Sequence, residues 1–340
     1  MNRSKYGYAP RRSRPSRRRR WGWWLPLPIA LVIGALLLIS RLPDDDGGRL
    51  TASTGCPAGE DCAAAVLAST ECPAGGACAA SENEPAYVGS VMPGDITGRA
   101  AVMIEEPCGA LLYDYNAHQR RAPASLTKIA TALVALERAD LSEMVDVRVH
   151  GGELAVTTDS TVMGLEPGQQ LSVRDLLHGL LLPSGNDAAI AIAEHVGDSV
   201  PAFVGLMNSK VEQLGLGDTH FTNPHGLDGP DMYTSAFDIA MLGRELMREP
   251  ELAAIVRTRI YQPAWDGAPL WNGNRLLYLY PESLGVKIGS TDRAGGTIVA
   301  AAERDGRRLF VSVLGSSDIY QDAITLFEWA FSNAPSVCDQ

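Results

Sequence analysis

Apolar and polar positions follow two different patterns along the chain. Apolar runs at 99–105 and 110–115 flank the polar sequence Glu106-Pro107-Cys108-Gly109, which predicts a β-hairpin. Near the other end, apolar runs predict strands at 283–291, 296–303 and 308–314, and the turn Asp305-Gly306 joins the last two. Between these strand regions the apolar positions recur at helical spacing, which predicts a helix from Ser125 and helices at 173–182, 187–196, 201–214, 234–248 and 250–257, with a final amphipathic helix at 318–332.

Strands at both ends with helices between them are typical of an α+β fold rather than of alternating βα units. We therefore expect one antiparallel sheet built from both ends of the chain and flanked by helices, with a helical subdomain inserted in the middle. The expected globular domain covers residues 92–335.

The first 40 residues have the pattern of a membrane anchor. Residues 21–39 carry no charge, and as a helix they would span about 28 Å, close to the hydrocarbon thickness of a bilayer. The nine cations and no acids in residues 1–20 fit the positive-inside rule. We predict a basic cytoplasmic tail at 1–20, a transmembrane signal-anchor at 21–40 and an extracytoplasmic body, so a single-pass protein of the cell membrane. A cleaved signal peptide is the alternative, but no A-x-A-like cleavage site follows.

The charge distribution bears on nucleic-acid binding. The whole chain has a net charge of −11 although residues 1–20 carry nine cations, so a basic head is attached to an acidic body. Alone, that head would be compatible with a nucleic-acid arm. The uncharged segment directly after it favours the membrane, and no nucleic-acid partner is expected.

Residues 41–91 are small, polar and acidic, and we expect a disordered linker there. The linker contains a repeat, ASTGCPAGEDCAA at 52–64 and ASTECPAGGACAA at 68–80. Each copy holds a C-x5-C pair, which lacks zinc spacing and favours small disulfide loops in an oxidising compartment. The other two cysteines, Cys108 and Cys338, would pair if both ends of the globular part met in one sheet, which the sequence leaves open.

Two short sequences place serines beside groups that could activate them. In Pro123-Ala124-Ser125-Leu126-Thr127-Lys128, a helix would put Ser125 and Lys128 on one face, and lysine can take a proton that arginine cannot. In Leu182-Pro183-Ser184-Gly185-Asn186-Asp187, between two apolar helices, Ser184 could relay a proton and Asn186 could hold an amide. Either sequence alone is also compatible with helix capping.

A third sequence, GVKIGSTDRAGG at 285–296, lies on a predicted strand. Lys287 is one of only four lysines among 29 basic residues. Gly289 removes a side chain and would let another backbone approach the strand, for example a peptide that adds along its edge.

The order of these three motifs resembles that of the penicillin-recognising serine enzymes. The segments PASLTKIATALVALE, LLPSGNDAAIAIAEH, MNSKVEQLGLGDTHFTNPHGLD and LGVKIGSTDRAGG look like those of the D-alanyl-D-alanine carboxypeptidases of low molecular mass. The resemblance covers roughly 95–333. It implies a β-lactamase/transpeptidase-like fold, a peptidoglycan stem peptide as substrate in cell-wall and cell-shape metabolism, β-lactam antibiotics as covalent inhibitors, and no cofactor or metal.

The resemblance also implies roles. Ser125 would form an acyl-enzyme, Lys128 would take its proton and Ser184 would protonate the leaving D-alanine. Asn186, Lys287, Gly289 and Ser290 would bind and orient the peptide, with Thr291 as a further candidate, and the backbone N–H groups of Ser125 and Ser290 would form the oxyanion hole.

Ile288 departs from the family pattern, in which a threonine at this position helps to hold the terminal carboxylate of the substrate. Because 288 and 290 face the same side of a strand, Ile288 places an apolar chain where a donor usually stands, and Ser290 could supply a hydroxyl instead. The alternatives are a DD-endopeptidase, a β-lactamase, for which no E-x-x-L-N-like stretch is present, and a wall-binding protein weakened by Ile288. The six histidines show no metal-ligand spacing.

Overall fold

The computed structural model describes residues 86–89, 93–265 and 267–338, all of them in the larger of the two units into which the chain divides, Cys56–Gln340. The strands in these residues are β1 Ala86–Tyr87, β2 Ala100–Glu105, β3 Ala110–Tyr115, β4 Met144–Asp146, β5 Gln170–Ser172, β6 Ile260–Tyr261, β7 Leu270–Trp271, β8 Ser283–Thr291, β9 Gly295–Arg304 and β10 Arg307–Ser316. The helices are α1 Lys128–Arg138, α2 Gly151–Thr158, α3 Val173–Leu181, α4 Asn186–Val196, α5 Val200–Gln213, α6 Ala236–Arg248, α7 Pro250–Arg257, α8 Leu276–Leu279 and α9 Ile319–Asn333.

The main sheet has six strands in the order β1-β3-β2-β10-β9-β8, with every neighbouring pair antiparallel. Strands from the start of the domain therefore pair with strands from its end, with β2 beside β10. Most of the helices, together with the short ladders β4–β5 and β6–β7, come between β3 and β8 in sequence. The expected antiparallel sheet built from both chain ends, with helices inserted between, is confirmed.

Both faces of the sheet are covered, so its central strands are buried on both sides. In β2, Ala100, Val102 and Ile104 pack into the core under the inserted helices, whereas Ala101 and Met103 pack under α9. This alternation follows from the two-residue period of a strand. The inserted helices surround α1, whose residues 128–135 are all buried, and a helix that is buried all round belongs to the centre of a domain.

Most of the predicted elements are present within about three residues of their expected bounds. The helix expected from Ser125 instead begins as a 3₁₀ turn, Ala124–Thr127, and becomes α-helical at Lys128. The sheet also starts before the predicted boundary at 92, because Ala86 and Tyr87 pair with Asp114 and Tyr113 inside the segment expected to be linker.

Cys108 and Cys338 form a disulfide across 230 residues of sequence. It links the turn between β2 and β3 to the segment after α9. The possibility that the sequence left open is therefore realised, because the two chain ends do meet at one sheet.

Within the described residues no single helix is long and apolar enough to cross a membrane. One bent pair, α4 and α5 at 90° to each other, satisfies that test of length and composition together. The predicted tail at 1–20, the anchor at 21–40 and the cysteine repeat lie outside the described residues.

Candidate active site

Ser125 lies on the 3₁₀ turn that leads into α1, held there by two close backbone approaches. A Cβ atom at Gly226 would lie 1.9 Å from the carbonyl oxygen of Ala124, and a Cβ atom at Gly289 would lie 2.7 Å from the backbone nitrogen of Ser125. Any side chain at either glycine would displace the serine. Gly289 thus makes room for the protein's own serine segment against β8.

The amine of Lys128, the first residue of α1, is surrounded by three oxygen atoms. Its Nζ donates to Asn186 Oδ1 and to the carbonyl of His225, both at 2.7 Å, and lies 3.0 Å from Ser125 Oγ. A neutral amine has two N–H groups and one lone pair. With both N–H groups engaged by Asn186 and His225, the lone pair is left to accept the proton of Ser125 at normal hydrogen-bond distance.

Two effects favour that neutral form. Lys128 has no exposed surface, and burial lowers the pKa of its amine well below the ordinary value. The positive charge of Lys287 lowers the pKa of Lys128 further, whereas the Asp187 carboxylate acts in the opposite direction. The site therefore contains a lysine suited to act as a base.

Ser184 occupies the loop between α3 and α4, in a conformation that a non-glycine residue rarely adopts, with φ at 68°. Its hydroxyl oxygen is buried and has no hydrogen-bond partner among the described residues. A buried hydroxyl without a partner in this loop is available to a bound molecule. Asn186 begins α4 and is buried, and its side-chain oxygen accepts a hydrogen bond from Lys128, so it orients the lysine without lining the cleft.

Asp187 organises the rim of the site, a role that its sequence context did not reveal. Its carboxylate accepts hydrogen bonds from the backbone N–H groups of Met163, Gly164, Leu165 and Ala188 at 2.8 to 2.9 Å. These bonds fix the loop after α2 against the start of α4, and Thr161 in that loop lines the site. Only the fold brings residues 163–165 to Asp187, so helix capping was the sole interpretation available from the sequence.

The third wall of the site is β8, an edge strand of the sheet. Lys287 is 2 % exposed, its Nζ donates to the carbonyl of Ile288 at 2.9 Å, and burial lowers the pKa of its amine to about 7. Ile288 is half-buried and packs partly against the core under α9. Ser290 is exposed, whereas Thr291 donates its hydroxyl to Asp228 at 2.9 Å and does not line the cleft.

One cleft of about 550 Å³ joins these parts. It is lined by Ser125, Ser184, Lys287, Ile288, Gly289 and Ser290 from the predicted motifs, and by Thr161, Gly273, Gly296, Ser316, Ser317 and Ile319 among others. The structure therefore brings the three sequence motifs to one place. Along the chain, Ser184 follows Ser125 by 59 residues, and Lys287 follows Ser184 by 103.

Two further features near histidines were not predicted. The carbonyl of His225 holds Lys128, and burial, with the charge of Lys128, lowers the pKa of the His225 side chain to about 3. Elsewhere, ligand atoms of His118, Asp218 and Asp238 lie within 4.8 Å of one another, as metal ligands can. Both carboxylates there already accept hydrogen bonds, from Arg120 and from Thr219.

A serine hydroxyl, a buried lysine amine beside it and a strand edge along which a peptide can lie are the components of a site for nucleophilic acyl transfer. The sheet, covered by α9 on one face and by the inserted helices on the other, has the architecture of the penicillin-binding DD-peptidases.

Comparison with solved structures supports this assignment of the fold. The crystal structure of the Streptomyces K15 DD-transpeptidase superposes with a TM-score of 0.67 and 30% identity, covering 71% of this chain and 100% of that one. The crystal structure of the D-alanyl-D-alanine carboxypeptidase from Mycobacterium tuberculosis H37Rv superposes with a TM-score of 0.68 and 33% identity, covering 74% of this chain and 97% of that one.

The family model described as D-alanyl-D-alanine carboxypeptidase, peptidase S11, matches residues 87–318, and the chain belongs to that family. Among curated relatives, DacB2 of M. tuberculosis is 35% identical over 257 residues, which is 73% of this chain and 87% of that protein. DacF of Bacillus subtilis is 36% identical over 223 residues, which is 64% of this chain and 57% of that protein. The chain spans less than two thirds of the length of the first curated relatives that it matches.

Proposed function

We propose that this protein is a membrane-anchored serine-type D-Ala-D-Ala carboxypeptidase that trims peptidoglycan stem peptides through an acyl-enzyme on Ser125. The observation that carries the proposal is the buried Lys128 amine, 3.0 Å from Ser125 Oγ. In its neutral form, both of its N–H groups donate to other acceptors, Asn186 Oδ1 and the carbonyl of His225. Family membership supports the substrate class.

In the acylation step, Ser125 Oγ attacks the carbonyl carbon between the two D-alanines while Lys128 Nζ takes the hydroxyl proton. The negative charge that develops on the carbonyl oxygen is stabilised by the backbone N–H groups of Ser125 and Ser290. The C–N bond then breaks, and Ser184 Oγ supplies a proton to the nitrogen of the departing D-alanine. Lys287 lines the same cleft as Ser184, and its amine would return a proton to Ser184.

In the deacylation step, water attacks the ester carbonyl and gives its proton to the Lys287 amine, which lost one during acylation, while the proton held by Lys128 returns to Ser125 Oγ. Ser125 is released as the alcohol, and the shortened peptide leaves as a carboxylate. β8 holds the peptide by its edge throughout, because a substrate strand can pair with the backbone groups of 287–290.

The proposed location is the outer side of the cell membrane. The uncharged segment 21–39 and the nine cations before it support a single-pass anchor with the catalytic domain outside. Protease protection of the full chain in sealed vesicles would test this arrangement.

The proposed activity is tested by measuring D-alanine release from a pentapeptide that ends in D-Ala-D-Ala, together with labelling by penicillin. We expect D-alanine release and a stable covalent adduct on Ser125, with both lost in Ser125→Ala. Rapid turnover of the drug would instead identify a β-lactamase, and neither release nor adduct would identify a binding protein without catalysis.

The similarity over the full length of a DD-transpeptidase supports a second candidate function, transfer of the acyl group to an amine. An amine acceptor in the same assay distinguishes the two. Transfer product formed at the expense of hydrolysis would favour transpeptidation, whereas hydrolysis alone favours the carboxypeptidase.

A further inference from the structure

A second cavity, of about 430 Å³, adjoins the catalytic cleft. Ser316 and Ser317, at the end of β10, line both spaces. Molecules that occupy the cleft near these serines therefore lie next to the second cavity.

Three arginines from distant parts of the sequence line this cavity: Arg99, Arg121 and Arg293. Arg99 directly precedes β2, and its backbone N–H donates a hydrogen bond to the carbonyl of Leu314 at 2.9 Å. Arg121 lies four residues before Ser125, and its backbone pairs with Thr234 in both directions. Arg293 is in the turn between β8 and β9, where its Nη1 donates to the carbonyl of Gly229 at 3.1 Å.

These guanidinium groups line one cavity, and the only side-chain hydrogen bond of Arg121 among the described residues is from Nη1 to Oε1 of Gln119, at 2.8 Å. Among the described residues, none of the three forms an ion pair. The Nε of Arg121 is buried without a hydrogen-bond partner in the same part of the chain. Burial and then the charge of Arg99 lower the pKa of Arg121, whereas Tyr115 acts in the opposite direction. Of the described residues that line the cavity, only Asp292 carries a carboxylate, so positive charge predominates there.

The backbone leaves room for Arg121. Gly315 has a φ of 71°, and a Cβ atom there would lie 3.1 Å from Arg121 Nη2. A side chain at this position would be strained and would press on the guanidinium group. The fold therefore keeps an arginine with an unused donor beside the cleft, and an unused buried donor is costly unless a ligand engages it.

We propose that Arg99, Arg121 and Arg293 form a carboxylate-binding subsite that takes a free carboxylate of the peptide held in the catalytic cleft. This proposal rests on the proposed function, which supplies a carboxylate-bearing peptide. A planar guanidinium group binds a carboxylate through two parallel N–H···O bonds. The subsite also supplies cationic donors near a cleft in which Ile288 offers none.

The carboxylate could be the C-terminal group of the peptide or a side-chain group upstream of the scissile bond. The test therefore uses the full chain and three ligands. The first is L-Ala-γ-D-Glu-L-Lys-D-Ala-D-Ala, with both carboxylates free. The second carries the glutamate carboxylate as an amide, and the third carries the C-terminal carboxylate as an amide and is measured as a competitive inhibitor.

We expect Arg121→Gln to raise KM for the first peptide about 10-fold or more, with kcat changed much less. A rise in the KM of the first peptide and in the Ki of the third, with the KM of the second unchanged, assigns the subsite to the glutamate carboxylate. An increase for the first two peptides, with the Ki of the third unchanged, assigns it to the C-terminal carboxylate.

Arg120→Gln is the matched control, because Arg120 is exposed, bonds to Asp218 and lies outside the cavity. We expect less than a 2-fold change. Arg293→Gln, on an exposed turn, gives a second variant should Arg121→Gln lose penicillin labelling. A KM changed less than 2-fold in both variants, or raised equally for all three ligands, overturns the subsite. Absence of D-alanine release from the unsubstituted protein would instead remove the proposed function and, with it, this subsite.

Discussion

Nζ of Lys128 lies 2.7 Å from Oδ1 of Asn186, although 58 residues separate the two along the chain. The contact joins the start of α1 to the start of α4. It uses one N–H group of the lysine and, with the carbonyl of His225, orients the remaining lone pair towards Ser125. Asn186 therefore positions the amine that we propose as the base.

Lys128→Arg is expected to abolish acylation. A guanidinium group keeps the positive charge but does not give up its proton, so it cannot act as the base. We expect the rate of penicillin adduct formation to fall at least about 100-fold, consistent with loss of general-base catalysis. Lys210→Arg is the control, because Lys210 pairs with Glu137 at the surface, away from the cleft. Equal labelling of the two variants would contradict Lys128 as the base.

Ile288→Thr is expected to raise kcat/KM for the D-Ala-D-Ala peptide. The new hydroxyl would donate to a charged carboxylate in the cleft, which is worth about 1.5 to 3 kcal/mol, or roughly 10- to 100-fold. Ile260→Thr makes the same change at an exposed position of β6, outside the cleft, and is expected to have no effect. An unchanged or lower value in Ile288→Thr would show that the isoleucine does not weaken substrate binding.

The buried Lys287 is expected to make stability rise with pH. Its pKa is about 7 in the folded protein and about 10.4 in an unfolded chain. Between these values the unfolded state binds more protons, so the free energy of unfolding increases as pH rises, and below pH 7 the full cost of burial is present. Lys287→Met should therefore stabilise the protein at pH 6 to 7, by an amount on the order of 4 kcal/mol, but little near pH 11, while activity is lost.

Urea unfolding of the Lys287→Met variant at pH 6, 8 and 10 measures this effect. Lys210→Met, at a surface lysine paired with Glu137, provides the comparison and should show no such gain. A gain for Lys287→Met that is the same at every pH would mean that packing, rather than the burial of a charge, accounts for it.

Asp187→Asn is expected to loosen the loop that follows α2. Asparagine replaces one carboxylate oxygen by an NH₂ group, which would face backbone N–H donors, so hydrogen bonds to a charged acceptor are lost. We expect the free energy of unfolding to fall by about 3 kcal/mol and the amides of Gly164 and Leu165 to exchange faster with solvent. Asp159→Asn, in the same loop at a left-handed position that asparagine tolerates, should change neither. Unchanged exchange in Asp187→Asn would rule out Asp187 as the anchor of the loop.

The periodicity of apolar residues was sufficient for the sheet and the long helices, because burial on a defined face leaves a repeating mark in the sequence. The elements β6, β7 and α2 were missed, because β6 and β7 have only two residues each and α2 has only one buried residue, so none of them shows a repeating apolar face. The three motifs located Ser125, Lys128, Ser184, Asn186 and Lys287 because their residue types are chemically distinctive. The contact between Lys128 and the backbone carbonyl of His225 could not be predicted, because every residue carries a carbonyl and the sequence does not distinguish this one. The cluster of Arg99, Arg121 and Arg293 also depends on strand order, which brings distant segments to one cavity.

The strand order has a further consequence for how the domain is tethered. β1 lies at one edge of the six-stranded sheet and β8 at the other, so five strand spacings, about 24 Å, separate them. The described chain therefore enters the sheet at Ala86, on the edge opposite the strand that lines the cleft. A peptide that pairs along β8 therefore does not compete with the entering chain for an edge of the sheet.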